Sequence, residues 1–241
     1  MTNILRLQQL AKLLDITRLQ DDDTAAGFNN WLDSLPALPA AAYCVYPDYL
    51  PVVRQWGGYN AQTKLATVVN FPDGDLPVDT VCEQIQRAVA LGATEIDCVL
   101  PYKALLRGEQ GYVKSFLYDV RQQSQGQCLK IIIESGELLT AQQIAKATEL
   151  VIDGGADFVK SSTGKTALGI TEEAARIMLT VIAAADRQVG FKASGGVRTL
   201  EQALQLLQWY ENITGRVATA EGMRIGASAL AYELYQALNA Q

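Results

Sequence analysis

The 241-residue sequence contains no histidine. Histidine is the commonest metal ligand and the usual general base near neutral pH. Its absence excludes Ser–His and Cys–His nucleophiles and leaves proton transfer to carboxylates, lysines, tyrosines or water. Cysteine is sparse: Cys44, Cys82, Cys98 and Cys128 form no CxxC pair, so with no histidine to complete a ligand set no zinc site, and no metal, is expected. Cys44, Cys98 and Cys128 lie in or beside apolar runs, which reads as reduced thiols in a cytoplasmic protein. No apolar run approaches 18 residues, so no membrane span is expected. The first twelve residues lack the cationic stretch and apolar core of a signal peptide. Positive charge is also short. A net charge of −6 argues against nucleic acid as a partner, and an anionic substrate would need a local cluster of donors.

What is present is an apolar majority built from aliphatics: 49% of residues are apolar and only 7% aromatic, enough for one large core. Eight β-rich runs stand out, at Leu13–Arg18, Ala42–Tyr46, Lys64–Asn70, Glu95–Leu100, Leu129–Glu134, Asp157–Ser161, Val189–Ala193 and Met223–Gly226. They recur at a spacing of roughly 30 residues, the length of one strand–helix unit. The expectation is an α/β protein, a single-domain (β/α)₈ (TIM) barrel over residues 1–241. The segments between read as helices with legible ends. Thr140 and Thr199 each stand three residues before a glutamine, the spacing of a capping box. Ile144, Ala147 and Val151 keep helical spacing, and Gly154–Gly155 suits a left-handed stop. Between Pro77 and Gly92, residues Val78, Val81, Ile85, Ala88 and Val89 are expected on one face.

In such a barrel the chemistry sits at the C-terminal ends of the strands. Those ends offer Asp15, Cys44, Asn70, Asp97, Glu134, Lys160, Lys192 and the turn Gly226–Ser228. Either lysine alone reads as a snorkelling surface residue. Two on neighbouring strands of a closed barrel point into one mouth. An isolated lysine is only ~0.04% neutral at pH 7. A second ammonium ~5 Å away, at an effective dielectric of about 20, disfavours the charged form by ~3 kcal/mol. Such a pair is poised to form an iminium. Asp97, inside another apolar strand, would be costly unpaired; a lysine partner relieves that and makes a proton relay or a structural ion pair.

Donor-rich loops form a second signal. Gly195, Gly196, Val197 and Arg198 follow the seventh strand, Gly226 and Ser228 the eighth, and Thr163, Gly164 and Lys165 the sixth. Loops after strands seven and eight commonly bind phosphate in these barrels, through backbone N–H groups and helix N-termini. Lys130 and Glu134 share a strand face by alternation, so Lys130 is a third candidate inward lysine and a structural partner for Glu134. Cys44 is a candidate thiol in the mouth; with no helix N-terminus or histidine beside it, the passive reading is favoured.

Across Leu14-Asp15-Ile16-Thr17, Ala42-Tyr43-Cys44-Val45-Tyr46-Pro47, Ala66-Thr67-Val68-Val69-Asn70-Phe71-Pro72, Ile96-Asp97-Cys98-Val99-Leu100-Pro101-Tyr102, Ile133-Glu134-Ser135-Gly136-Glu137-Leu138, Asp157-Phe158-Val159-Lys160-Ser161-Ser162-Thr163-Gly164-Lys165 and Gly190-Phe191-Lys192, with Gly195-Gly196-Val197-Arg198-Thr199, the sequence resembles the deoxyribose-phosphate aldolases of the longer, gamma-proteobacterial type. The resemblance implies reversible cleavage of 2-deoxy-D-ribose 5-phosphate to acetaldehyde and D-glyceraldehyde 3-phosphate, in deoxyribonucleoside catabolism. It implies a covalent lysine Schiff base with no metal or other cofactor. Lys160 matches the Schiff-base lysine, Lys192 the lysine that activates it and moves protons, and Asp97 the acid–base carboxylate. The implied partners are a sugar phosphate and an aldehyde. Barrels of that family are often homodimers, though no interface pattern is legible here.

Three departures stand out. Ala193-Ser194 replaces the usual Pro-Ala, which should reshape the phosphate loop. Ala229 replaces a serine that donates to phosphate. The chain ends at Ala240-Gln241 without a tyrosine-ending tail, from which slower enamine proton exchange is expected. Two other enzymes compete with this reading: a different lysine-dependent barrel aldolase, acting on keto acids or longer sugar phosphates, and a sugar-phosphate isomerase on the same fold, which needs no paired lysines. A non-catalytic binding barrel would have no use for Lys160, Lys192 and Asp97 together.

Overall fold

Each of the eight apolar runs becomes a strand in the computed structural model, which describes residues 4–240. The strands are β1 (Leu14–Arg18), β2 (Ala42–Val45), β3 (Lys64–Val69), β4 (Glu95–Val99), β5 (Cys128–Ile132), β6 (Phe158–Lys160), β7 (Gly190–Ser194) and β8 (Met223–Ala227). All are parallel and pair in chain order, and β8 returns to pair with β1, closing the barrel. The helices are α1 (Ile4–Ala11), α2 (Ala25–Ser34), α3 (Leu50–Gln55), α4 (Val78–Ala90), α5 (Tyr102–Leu106), α6 (Gln110–Gln123), α7 (Ala141–Asp153), α8 (Glu172–Ala183), α9 (Leu200–Thr214) and α10 (Leu230–Asn239).

Alternation along each strand separates two interiors. Outward residues such as Ile16, Val45, Leu65, Ile96, Leu129, Ile131, Val159, Phe191 and Ile225 join the helices in one large aliphatic core. Inward residues divide by strand. Those of β2 and β3, Ala42, Cys44, Ala66 and Val68, form a small apolar cluster of their own. Those of β1, β4, β5, β6, β7 and β8 include Asp15, Glu95, Asp97, Lys130, Lys160, Lys192 and Arg224, all buried.

Both expected capping boxes form: Thr140 and Thr199 accept from the backbone N–H of Gln143 and Gln202, whose side chains reach back. Gly155, at φ +81, turns the chain after α7. On α4 the buried face is Val81, Ile85 and Ala88. Val89, expected on that face, is 37% exposed, because it lies one residue past Ala88 and a helix turns about 100° per residue. No helix among the described residues is long and apolar enough to cross a membrane.

Candidate active site

The strand register sets the site. Lys160 of β6 pairs with Lys192 of β7, and Lys192 with Arg224 of β8, so three cations stand side by side on one wall. Across from them β4 presents Glu95 and Asp97 two residues apart, and Asp97 pairs in register with Lys130 of β5. Asp97 is the hub. Its Oδ2 accepts from Lys160 Nζ at 2.8 Å and Lys192 Nζ at 2.7 Å, and its Oδ1 accepts from Lys130 Nζ at 2.9 Å. Asp15 accepts from Lys192 Nζ at 2.5 Å and from Arg224 Nη1 at 2.8 Å. Glu95 closes the network, holding Arg224 Nη2 at 2.9 Å and Lys130 Nζ at 2.5 Å.

Burial alone would raise a carboxyl in this position, but the Lys130, Lys160 and Lys192 ammonium groups outweigh it and hold Asp97 well below the usual carboxylate range. Asp15 is lowered in the same way, against burial, by Lys192, Arg224 and Lys130. Burial opposes the charged forms of Lys130 and Lys192, yet the carboxylates around them push both upward. Cys44 is fully buried with Sγ 4.0 Å from Asp97 Oδ2, and burial raises its thiol, in keeping with the passive reading.

Above the network opens a cavity of about 400 Å³. Its walls bring together the three donor-rich loops: Thr163, Gly164 and Lys165; Gly195, Gly196, Val197 and Arg198; Gly226 and Ser228. Thr17 also lines it, and so does Lys160. Lys192, Lys130, Asp97, Asp15 and Cys44 lie beneath, outside its lining. Asn70 does not reach it. Its side chain donates to Val99 O at 2.8 Å and accepts from Leu76 N at 3.0 Å, which makes it a turn residue after β3. A larger hollow of about 850 Å³ lies near the starts of β1 and β8, the end of a barrel associated with stability rather than chemistry.

The expected Lys130–Glu134 pairing does not occur. β5 stops at Ile132, and Glu134 adopts φ +50, which breaks the strand's alternation. Its carboxylate turns to the β6–α8 loop instead, accepting from Ser162 Oγ at 2.5 Å, Thr163 N at 3.1 Å and Thr163 Oγ1 at 2.5 Å. At the end of β7, Ser194 Oγ donates to Ser162 O at 2.5 Å and its N–H to Ser161 Oγ at 2.9 Å, tying the segments after β6 and β7 together. Gly169 is required by the same tie, since a Cβ there would sit 2.0 Å from Gly195 O. Ala229 lines the cavity and caps α10 without a side-chain hydrogen bond.

Several site residues were not anticipated. Glu95 was visible in principle, standing two positions before Asp97, and Arg224 faces Lys192 in register. Arg18, in the cavity wall, is forked onto Asp23 at 2.5 and 2.8 Å and lies over Trp31. Lys165 Nζ reaches Asp21 at 2.9 Å across the mouth. Among the described residues no group of three or more Cys, Asp or Glu is arranged to hold a metal ion.

Comparison with known proteins places the chain among aldolases. A family model described as the DeoC/LacD family aldolases matches residues 10–230. A protein from Coccidioides immitis, provisionally named a deoxyribose-phosphate aldolase, is 28% identical; the match covers 94% of this chain and 86% of that one, with a TM-score of 0.82. An aldolase designated QR15 is 26% identical over 96% of this chain and 99% of its own, with a TM-score of 0.81. A Toxoplasma gondii protein, also provisionally named a deoxyribose-phosphate aldolase, shares the fold at 22% identity, covering 99% of this chain and 97% of that one with a TM-score of 0.89.

Proposed function

Because the chain belongs to the DeoC/LacD family of aldolases, we propose that it cleaves 2-deoxy-D-ribose 5-phosphate reversibly to D-glyceraldehyde 3-phosphate and acetaldehyde, as a step of cytoplasmic deoxyribonucleoside breakdown. Lys160 is the covalent nucleophile. The observation that carries this reading is the position of one amine. Lys160 Nζ is bonded to Asp97 and also borders the cavity with the glycine loops, whereas Lys192 lies beneath with no exposed surface.

The buried charge count supports the same choice. Four cations share the three carboxylates Asp15, Glu95 and Asp97, and whereas Lys130, Lys192 and Arg224 each touch at least two of them, Lys160 touches Asp97 alone. Uncompensated charge in a buried cluster is costly, and an amine that sheds its proton there becomes a nucleophile.

The phosphate rests on the Gly195–Gly196 and Gly226–Ser228 loops, with Lys165 and Arg198 at hand. Lys160 Nζ adds to the C1 aldehyde of the open-chain sugar, and loss of water leaves an iminium. The C3 hydroxyl then gives up its proton to a water held by Asp97 and Lys192. The C2–C3 bond breaks, its electron pair passing into an enamine on Lys160, while C3 becomes the aldehyde of glyceraldehyde phosphate. Protonation at C2 and hydrolysis of the new iminium release acetaldehyde and return the amine. The iminium is the electron sink, so the scheme uses no metal or organic cofactor.

The test is mass spectrometry after incubation with acetaldehyde and sodium borohydride. An ethyl adduct on Lys160 is expected in the wild type and in Lys192→Ala, and none in Lys160→Ala, whose turnover of deoxyribose 5-phosphate should fall by ~10³-fold or more. An adduct on Lys192 would invert the two roles. No adduct, with sugar-phosphate turnover retained, would replace the aldolase scheme by the isomerase one. Failure to release acetaldehyde from the deoxy sugar would point to a different aldol donor.

A further inference from the structure

We infer that the Glu95–Arg224 pair at the floor of the barrel is a positioning device for the reaction, setting the pH at which Lys160 becomes active without touching the substrate. The inference rests on the lysine-nucleophile reading above.

Neither residue lines the cavity. Arg224 forks onto Glu95, with Nη2–Oε1 at 2.9 Å and Nη1–Oε2 at 3.2 Å, and its Nη1 also reaches Asp15 Oδ1 at 2.8 Å. Its Nε donates to Ala220 O at 2.5 Å. Two chains of contacts lead upward from this pair. One runs from Arg224 through Asp15 and Lys192 to Asp97; the other runs from Glu95 through Lys130 to Asp97; both end on Lys160.

Stability alone does not call for charge at this depth. A buried ion pair is often no better than well-packed hydrophobic residues of similar size. This barrel packs its interior that way elsewhere, with Ala42, Ala66 and Val68 on β2 and β3. What the floor pair supplies is one positive and one negative charge held in a buried cluster around the reactive amine.

The charged and titratable groups of the cluster around Lys160 are Asp97 from β4, Lys130 from β5, Lys192 from β7, Asp15 from β1 and the Cys44 thiol from β2, with Glu134, two residues past β5, turned to the β6–α8 loop and Lys165 and Arg198 at the mouth. Burial keeps the Cys44 thiol protonated, so it adds no charge. Removing the Glu95 carboxylate leaves the cluster more positive and disfavours an ammonium at Lys160. Removing the Arg224 guanidinium does the reverse. One unit charge on the order of 10 Å away, through an effective dielectric of about 20, moves a titration by about one pH unit.

The experiment follows the rate of acetaldehyde trapping on Lys160 by sodium cyanoborohydride across pH, in the wild type, Glu95→Gln, Arg224→Met, the double variant and Glu95→Asp. Thermal unfolding of each variant is recorded in parallel. The acid limb is expected about one unit lower in Glu95→Gln, about one unit higher in Arg224→Met, and near the wild type in the double variant and in Glu95→Asp. Single-variant limbs that stay put, or move in the same direction while stability falls, would overturn the inference and leave the pair a structural plug. If Arg224→Met does not fold, the comparison of Glu95→Gln with Glu95→Asp decides: a lower limb in the first alone supports it, and coincident limbs overturn it. Absence of any adduct at any pH would instead remove the lysine-nucleophile reading itself.

Discussion

Glu134 carries a carboxylate that binds no cation among the described residues; its partners are the hydroxyls of Ser162, Thr163 and Thr166 and the Thr163 N–H. Ser162 and Thr163 in turn accept from the backbone N–H groups of Gly164 and Lys165, so one side chain braces the whole loop. Hydrogen bonds to a charged group are worth ~1.5–3 kcal/mol each. Glu134→Ala should therefore raise KM for the phosphorylated sugar by about tenfold, with a smaller effect on kcat. Steady-state kinetics on deoxyribose with and without its phosphate check this, because loss of a phosphate-loop brace leaves the unphosphorylated substrate unaffected. The lysines and Asp97 were legible because a charge inside an apolar run stands out. Glu95 and Arg224 were passed over because each sits at or near the start of its strand beside a polar turn, where charge looks solvated, although the two-residue spacing puts Glu95 on the face of Asp97.

At the scale of the element, the helix starts were the clearest part of the sequence, since a capping box is a local contract between residues three apart. Thr140→Ala and Thr199→Ala should each cost ~1 kcal/mol and lower Tm by roughly 2–4 °C, measurable by calorimetry. Their kinetics should differ. Thr199 directly follows Arg198 of the cavity wall, so Thr199→Ala should also raise KM for the phosphorylated sugar, while Thr140→Ala leaves it unchanged. The strands were legible as apolar runs to within a residue or two. Helices α3 and α5, of six and five residues, were not, because so few residues show no periodicity. The phase error at Val89 has the same origin: adjacent apolar residues leave the edge of a helical stripe undefined until packing chooses it.

At the scale of the whole molecule, a cluster of charge lies inside the barrel. Asp15 and Asp97 are lowered, so the stability they confer is present above the unfolded carboxylate value of about 4 and is lost as pH falls through their folded values. Lys130 and Lys192 are raised, so theirs is complete below about 10.4 and is lost as pH rises through their folded values. Tm should accordingly be flat between about pH 5 and 9 and fall on either side. In Asp97→Asn the plateau should drop and its acid edge become shallower. Thermal unfolding against pH decides this; parallel acid edges in the two proteins would show that Asp97 is not part of the acid-labile set. The barrel's closure was legible from eight evenly spaced units, but the division of its interior into an apolar side and a charged side was not, since it depends on which residues the register brings level.

That register has a further consequence for how the chain finds its fold. Side chains along a strand alternate, so sliding β7 or β8 by one position would turn Lys192 or Arg224 out of the barrel and into the aliphatic shell beneath the helices. An aliphatic barrel would tolerate such a slip with a repacked interior. Here it would strand an ammonium or a guanidinium in oil and orphan its carboxylates on the other side of the sheet. The residues assembled for chemistry therefore also act as proofreaders of strand alignment, rejecting misthreaded barrels before there is a substrate to bind.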